Sequence, residues 1–372
     1  MSTPAPLLRA TEAESVCGDP DSLQSAQPAR RATVLEMTPQ ARGSAQATAT
    51  AQVSEIPAAG AALQPVRAFN TPGATANLIT DFVELFKIRV VMLVVVTGWG
   101  GYYLGAQQAG VSSVQRGLLD ALLGIGLVSA GAGALNEALE RHTDARMKRT
   151  ANRPIATGRM SFVQGLLAGF GAVALGALWL HLFANPLTEV LAVLTALLYT
   201  AVYTPLKRKT TWATFIGAFP GAMGPMLGWT AARGRIEWPA VALFAILFVW
   251  QFPHFMSIAW LYRRDYAQAG IRMLPVVHTD GRSTIAVSLL FAVLMIPVSL
   301  SPAALGIAGP LYVSLASALG IVYLAYTVRF ARILRPISEE ASRMAARDLL
   351  KVSVLYLPLL FTALMLCANR AH

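Results

Sequence analysis

NEALERHTDARMKRTANRP, residues 136 to 154, puts carboxylates and basic side chains at the end of an otherwise apolar stretch, where charge must have a reason. Asn136, Glu140 and Asp144 are spaced four apart. On a helix each lies about 40° round from the last, so the three line one stripe. Hard oxygen donors on one face suit Mg²⁺, which is usually held by a few carboxylates while substrate phosphates and water complete its octahedron. Arg146, Lys148, Arg149 and Arg153 follow closely and can take phosphate charge. The same spacing also fits a solvated helix end laced with i, i+4 pairs.

Working outward, composition decides what kind of chain carries the stripe. Of 372 residues, 55% are hydrophobic and only 13% charged, against about a quarter charged in a soluble protein. The chain is therefore read as all-α and polytopic, since a hydrocarbon core takes about 20 apolar residues to cross. Nine spans are expected, near residues 83–105, 117–139, 161–183, 187–206, 213–232, 238–260, 283–301, 304–327 and 350–368. Pro205 and the basic triplet after it, in YTPLKRKTT, argue against one continuous helix between the fourth and fifth.

Lys and Arg between the spans set the orientation. One set of alternate loops holds Arg141 to Arg159, Lys207 to Lys209, Arg263 to Arg282 and Arg329 to Lys351; the other holds only Arg116, Arg233 and Arg235. The rich set is placed in the cytoplasm with the N-terminus, and the C-terminus outside. The formal charge of +11 then reflects these loops and not a nucleic-acid partner, because no basic array interleaved with aromatics is present. Residues 1–75 are rich in Ala, Ser, Thr, Gln and Pro and lack apolar periodicity. They are read as a disordered tail ahead of a transmembrane domain at 76–372. With no apolar signal core, and with Glu12, Glu14, Asp19 and Asp21 against a transit peptide, a bacterial inner membrane is the expected location. Cys17 and Cys367 suggest neither a disulfide nor a metal site.

A second polar island closes the sixth span, WQFPHFMSIAWLYRRDYAQAGIRMLPVV from Trp250 to Val277, where Asp265 sits beside Arg263 and Arg264. The islands follow spans two and six, the same place in each half of an eight-helix set, so both could face one shared mouth. His254 lies inside span six, where an ionisable group is either a hydrogen-bonded core residue or a functional one.

NxxxExxxD followed by MKRTANRPIATG, then YTPLKRKTTWATFIGAFPGAMGPMLGW, WQFPHF and DYAQAGIRMLPVV, in that order, resemble the protohaem IX farnesyltransferase (haem O synthase) branch of the UbiA superfamily of intramembrane prenyltransferases. The resemblance covers roughly residues 80–365, and PHF with AGIxMLPVV separates this branch from quinone and chlorophyll prenyltransferases. It implies a nine-helix UbiA-type bundle around a central cavity. There farnesyl passes from farnesyl diphosphate to a vinyl group of haem B, with Mg²⁺ as cofactor. It further implies that water adds to give haem O, for haem A synthase or terminal oxidase assembly downstream. The first family motif falls on Asn136, Glu140 and Asp144, and the second on Asp265. The chain departs at Glu140, where Asp is commoner, and at Ala269, where many relatives carry another Asp.

An allylic diphosphate ionises once its leaving group is neutralised, which Mg²⁺ and basic side chains provide without a protein nucleophile. Arg149, Arg153, Lys207 and Arg208 are the candidates for holding it, with Lys87 and Arg89 at the mouth of span one. Tyr199, Tyr203, Phe252, Phe255 and Tyr262 could line a water-free chamber and face a carbocation, or be ordinary packing aromatics. His254 and Tyr203 are the candidates for holding the haem acceptor. Two alternatives stand beside this reading: a prenyltransferase for an aromatic or quinone-precursor acceptor, and a secondary transporter. Transporter sites favour broken helices at the bilayer midplane, whereas here the charged islands sit at one face.

Overall fold

The computed structural model describes residues 77–110 and 116–369; the tail expected at 1–75 lies outside them. The described residues form nine long helices: Ile88–Gln108 (α1), Arg116–Asp144 (α2), Phe162–Phe183 (α3), Pro186–Leu197 (α4), Ala213–Arg233 (α5), Trp238–Leu261 (α6), Arg282–Ala304 (α7), Pro310–Phe330 (α8) and Glu339–Leu366 (α9). Eight are long and apolar enough to cross a membrane, α4 when its continuation to Leu206 is counted with it. The remaining one, α5, has the length, but GAFPGAMGPMLG dilutes its apolar content with glycine and proline.

Capping chemistry sets several boundaries. Ser161 and Gln164 form a reciprocal capping box at the start of α3, and Asn185 caps α4 ahead of Pro186 at its first turn. Ser338 caps α9 by accepting from the Ala341 amide at 3.2 Å, so this helix starts well before the expected residue 350. The expected first span, 83–105, is corrected more sharply. A separate short helix, Leu78–Leu85, comes first, and Lys87 in the left-handed region (φ 50°) breaks the chain before α1. Asp81 of that short helix is buried and accepts from Arg159 Nε at 2.9 Å, which ties it to the polar end of the bundle. The second span runs past its expected end at 139 to Asp144, because its last two turns are packed inside the protein.

Beyond Leu197, α4 opens into a π turn, Leu198–Tyr203, and closes with Thr204–Leu206. Pro205 has no N–H to continue an ordinary α ladder. The Tyr199 carbonyl accepts the Thr204 amide in the π ladder and the Thr204 hydroxyl as well, at 2.8 Å, which braces the turn.

Lipid gives helices no hydrophobic reason to associate, so close backbone packing must hold them. Between α1 and α5 the approach is extreme: a Cβ on Gly101 would lie 2.0 Å from the Pro225 carbonyl oxygen, and one on Gly228 only 1.8 Å from that of Gly98. Glycines also seam α2 to α3, where a Cβ on Gly131 would meet the Gly169 carbonyl oxygen at 2.6 Å. The second half, α6–α9, packs large buried side chains instead, two of them hydrogen-bonded at their polar ends: Tyr312 donates to Ser299 O at 2.6 Å and Tyr323 to Trp250 O at 3.0 Å. At the end of the bundle away from the islands, Glu237 takes both Arg233 and Arg235 at 2.9 Å. Hydrogen bonds from Arg233 and Trp229 hold its carboxyl down at about 2.

Gly228→Ala drives a methyl into backbone that cannot yield and is expected to cost about 3 kcal/mol, the upper end for forced overpacking. Gly171→Ala, where nothing lies within 4 Å, should leave stability unchanged. Thermal unfolding of the two variants in one detergent checks the contrast, and equal midpoints would refute the packing argument.

Candidate active site

The stripe read from the sequence exists on α2, with Asn136 and Asp144 buried and Glu140 half-buried. Each member is met by a cation from a different part of the chain. Lys87, just before α1, donates to Asn136 Oδ1. Lys207, just after the π turn, donates to both oxygens of Glu140 at 3.0 and 3.2 Å. Arg153, in the loop after α2, donates to Asp144 Oδ2 at 2.7 Å. Asn136 in turn donates from Nδ2 to the Thr204 hydroxyl at 2.9 Å. The stripe is thus joined to the same threonine that braces the π turn.

Electrostatics follow this pairing. Burial works against the charge on Lys207, yet Tyr203 and Glu140 beside it raise its pKa above the ordinary lysine value. Lys87 has an amide oxygen and no carboxylate as its direct partner; burial, with Arg153 near by, draws it down to about 7. Among the described residues no three His, Cys, Asp or Glu side chains gather closely enough to hold an ion. What stands ready is two carboxylates, each already carrying a cation.

The loop between α2 and α3 is anchored from below. Thr150 Oγ1 bonds the Asp144 carbonyl at 2.9 Å, and the Ile155 amide donates to Glu137 Oε1 at 3.3 Å. Glu137 is wholly buried and its other oxygen has no partner. Sequence reading passed over this residue because it breaks the four-residue spacing, although on α2 it lies only about 20° round from Asp144. The signal was available, since a carboxylate inside an apolar span is costly wherever it points.

The second island meets the first at the same place. The Arg272 amide donates to the Lys207 carbonyl at 2.9 Å, and Met147 packs with Ala269 and Ile271. A cavity of about 670 Å³ opens here, lined by Glu140, Thr200, Thr204, Arg208 and Gly270 among others. The predicted cations therefore separate by position. Lys87, Arg153 and Lys207 hold the stripe, and Arg208 lines the cavity. Arg149 is exposed, 5.6 Å from the Tyr262 ring centroid, and Arg89 is exposed on the first turn of α1. Asp265 is half-buried in the short helix Arg263–Gln268 and makes no ion pair among the described residues.

The candidate aromatics do not form one chamber. Tyr203 lies under Lys207, whose Nζ is 4.4 Å from its ring centroid, and Tyr199 is next to it at 5.5 Å. Phe252 stacks on Phe291 at 3.7 Å in a separate aromatic ladder that includes Phe215 and Phe248. His254 belongs to a third group, stacked on Trp250 at 4.7 Å with its Nδ1 2.8 Å from Ser353 Oγ on α9. Ser353 spends its only proton on the Leu350 carbonyl at 2.6 Å. The hydroxyl must accept from His254, so Nδ1 carries the ring proton and Nε2 keeps a lone pair. Ser353 lies 99 positions away in sequence, and no local pattern announces it.

Residues 93–355 match the UbiA prenyltransferase family. A protoheme IX farnesyltransferase of Koribacter versatilis is 52% identical over 296 residues, covering 79% of this chain and 95% of that protein. One from Solibacter usitatus is 42% identical, covering 77% and 98%. Among solved structures, a digeranylgeranylglyceryl phosphate synthase superposes with a TM-score of 0.64 at 17% identity, covering 78% of this chain and 98% of that one. A UbiA homologue from Archaeoglobus fulgidus bound to GPP and Mg²⁺ gives 0.53 at 14% identity, with 76% and 99% covered. These structures share the fold, and the sequence match over most of the chain assigns the protein: it belongs to the UbiA prenyltransferase family.

Proposed function

We propose that this chain transfers the farnesyl group of farnesyl diphosphate to a vinyl group of haem B, with addition of water, giving haem O and releasing diphosphate. One observation carries the prenyl half of this reading: carboxylates and cations paired across three parts of the chain gather at one end of an apolar bundle, where Glu140 and Arg208 line a cavity. The acceptor rests on the relatives, which are named for protoheme IX and are matched along nearly their whole length.

In this reading Arg153, Lys207 and Lys87 bind the diphosphate, with Arg208 across the cavity. They are arginine and lysine donors held in place before the anion arrives. Glu140 and Asp144, beside Asn136, would hold Mg²⁺, and Asp265 of the second island, which does not gather with them among the described residues, would join the set only by approaching on substrate binding. The donor set fits, because that ion takes one or two carboxylates and leaves its other positions to substrate phosphates and water. Bound there, it would neutralise charge on the leaving group. The C1–O bond of farnesyl diphosphate breaks, the vinyl carbon forms the new C–C bond, and water then delivers hydroxyl to the second cation and loses a proton. Tyr203, whose ring lies under Lys207 Nζ, and Tyr199 beside it would present ring faces to the departing chain. Haem O would pass to haem A synthase or terminal oxidase assembly.

Purified protein given haem B, farnesyl diphosphate and Mg²⁺ should yield haem O by mass; a prenylated quinone precursor formed in its place would overturn the acceptor. Asp144→Ala strands Arg153 and is expected to lower turnover about a thousandfold, the scale of losing one preorganised electrostatic group. Glu140→Asp should retain activity, because an ion that keeps its waters tolerates a carboxylate one methylene shorter. A normal rate in Asp144→Ala would make the stripe structural.

His254 has the lone pair that iron ligation or a propionate hydrogen bond requires. His254→Ala should weaken haem binding and leave farnesyl diphosphate affinity nearly unchanged. Ser353→Ala should do the same to a smaller degree, and Ser353→Thr, which keeps the hydroxyl, should restore it. Haem titrations followed by absorbance decide this, and wild-type spectra in His254→Ala would remove the residue from the acceptor site.

The membrane in this reading is the bacterial inner membrane, with the N-terminus and the mouth in the cytoplasm, as the uneven distribution of Lys and Arg supports. Cysteines introduced beside Arg149, Arg208 and Arg264 should resist an impermeant reagent added to whole cells, while one beside Arg235 should react. Labelling of the first group would invert the topology.

A further inference from the structure

The C-terminal end of α8 and the N-terminal end of α9 enclose a second cavity, about 430 Å³ in volume, that prenyl transfer does not use. Arg329, Arg332, Arg347 and Lys351 line it, with Asp348 as the only carboxylate. Arg329 already takes that carboxylate at 3.3 Å. Among the described residues, Arg332, Arg347 and Lys351 have no acidic partner.

Unpaired cations are not rare on this face, since Arg146, Lys148, Arg149, Arg208 and Arg272 are in no salt bridge among the described residues; what sets these three apart is that they line one concavity. Others on the face are answered, Arg153 by Asp144, Lys207 by Glu140, Arg159 by Asp81 and Arg263 by Glu339. The cavity belongs to that face, since Trp260 at the end of α6 donates to Ser342 of α9 at 2.6 Å and the Arg263–Glu339 pair lies beside it. Retention of positive loops in the cytoplasm accounts for the number of cations but not for three unpaired ones converging on a single concavity.

The rest of the lining is apolar: Ile337, Ala341, Met344 and Ala345. Met344 is 51% exposed, and Leu334 and Val328 on the α8 side are 47% and 55% exposed. A concavity lined by exposed cations, with aliphatic side chains on its floor and beside it, suits an amphiphile whose charged group is a phosphate. A soluble phosphate would have no use for the aliphatic side chains.

We propose that this cavity between α8 and α9 is a binding site for the phosphate headgroup of an anionic phospholipid, held by Arg332, Arg347 and Lys351. Its acyl chains would lie against Val328, Leu334 and Met344. Basic hollows between membrane helices on the positive face recognise headgroups in this way.

The test uses the full chain, delipidated in detergent and titrated with phosphatidylglycerol or with phosphatidylcholine of the same acyl chains, bound lipid being counted by native mass spectrometry. One phosphatidylglycerol should bind in clear preference to phosphatidylcholine, and millimolar inorganic phosphate should not displace it. Combining Arg332→Gln, Arg347→Gln and Lys351→Gln should weaken that binding about a hundredfold, the sum expected for three surface cations. Combining Arg264→Gln, Arg272→Gln and Arg282→Gln, which removes equal charge from the same face, should leave it intact. If the first triple variant does not fold, Arg347→Gln alone should weaken binding about fivefold. Unchanged binding in the cavity variants, an equal loss in the control, or displacement by inorganic phosphate would each overturn the proposal.

Discussion

Charge taken out of water must be paired, and that constraint organises the polar end of this bundle. Leaving one member of a buried ion pair alone costs about 3–5 kcal/mol, so Asp144 and Glu140 cannot be placed on α2 unless Arg153 and Lys207 are brought to them. The cations come from the loop after α2 and from the end of α4, and Lys87 comes from the turn before α1. Pairing therefore does more than neutralise. It fixes where three separate parts of the chain arrive, and their arrival outlines the cavity.

Helix packing supplies the precision that pairing needs. Side chains of arginine and lysine are long, and they locate a charge only as well as their backbones are located. The glycine contacts of α1 with α5 and of α2 with α3 bring backbones to van der Waals distance without an intervening side chain, leaving little play in the position of Lys87 against Asn136. The second half solves the same problem differently, with buried tyrosines hydrogen-bonded to carbonyls on neighbouring helices. Tyr323 grips the Trp250 carbonyl and Ser353 takes the Trp250 indole and His254 together. One turn of α6 is thus held from two sides.

What the sequence showed and what it hid divide along this line. The stripe was legible because charge is rare in an apolar span and four-residue spacing maps directly onto one helix face. The nine helices were legible from their sequence, and their ends were misjudged where a polar end is buried, at Asp144, where a Ser338 cap starts an exposed polar turn, at Glu339, or where a lysine takes a left-handed conformation with no glycine to announce it. Lys87 and Lys207 were recognised as cations for a diphosphate, but not which oxygen each would hold. Those partners lie 49 and 67 positions apart. Thr204 and Ser353 reach Asn136 and His254 only through tertiary contacts that no local pattern announces, whereas Glu137, a carboxylate in an apolar span, was visible and passed over.

The π turn of α4 shows how local backbone chemistry and the site depend on each other. An extra residue in a helical turn rotates everything beyond it by about 100° relative to an unbroken helix. Without Leu198–Tyr203 in this form, Lys207 would leave α4 on a different side and could not reach Glu140. The bulge carries its own cost, an interrupted ladder made worse by Pro205. Thr204 adds a hydroxyl bond to the Tyr199 carbonyl, which its own amide also meets, while its oxygen receives Asn136. The same hydroxyl thereby stabilises the irregular turn and orients the first member of the stripe. A regular helix would be more stable in isolation, and it would carry no site.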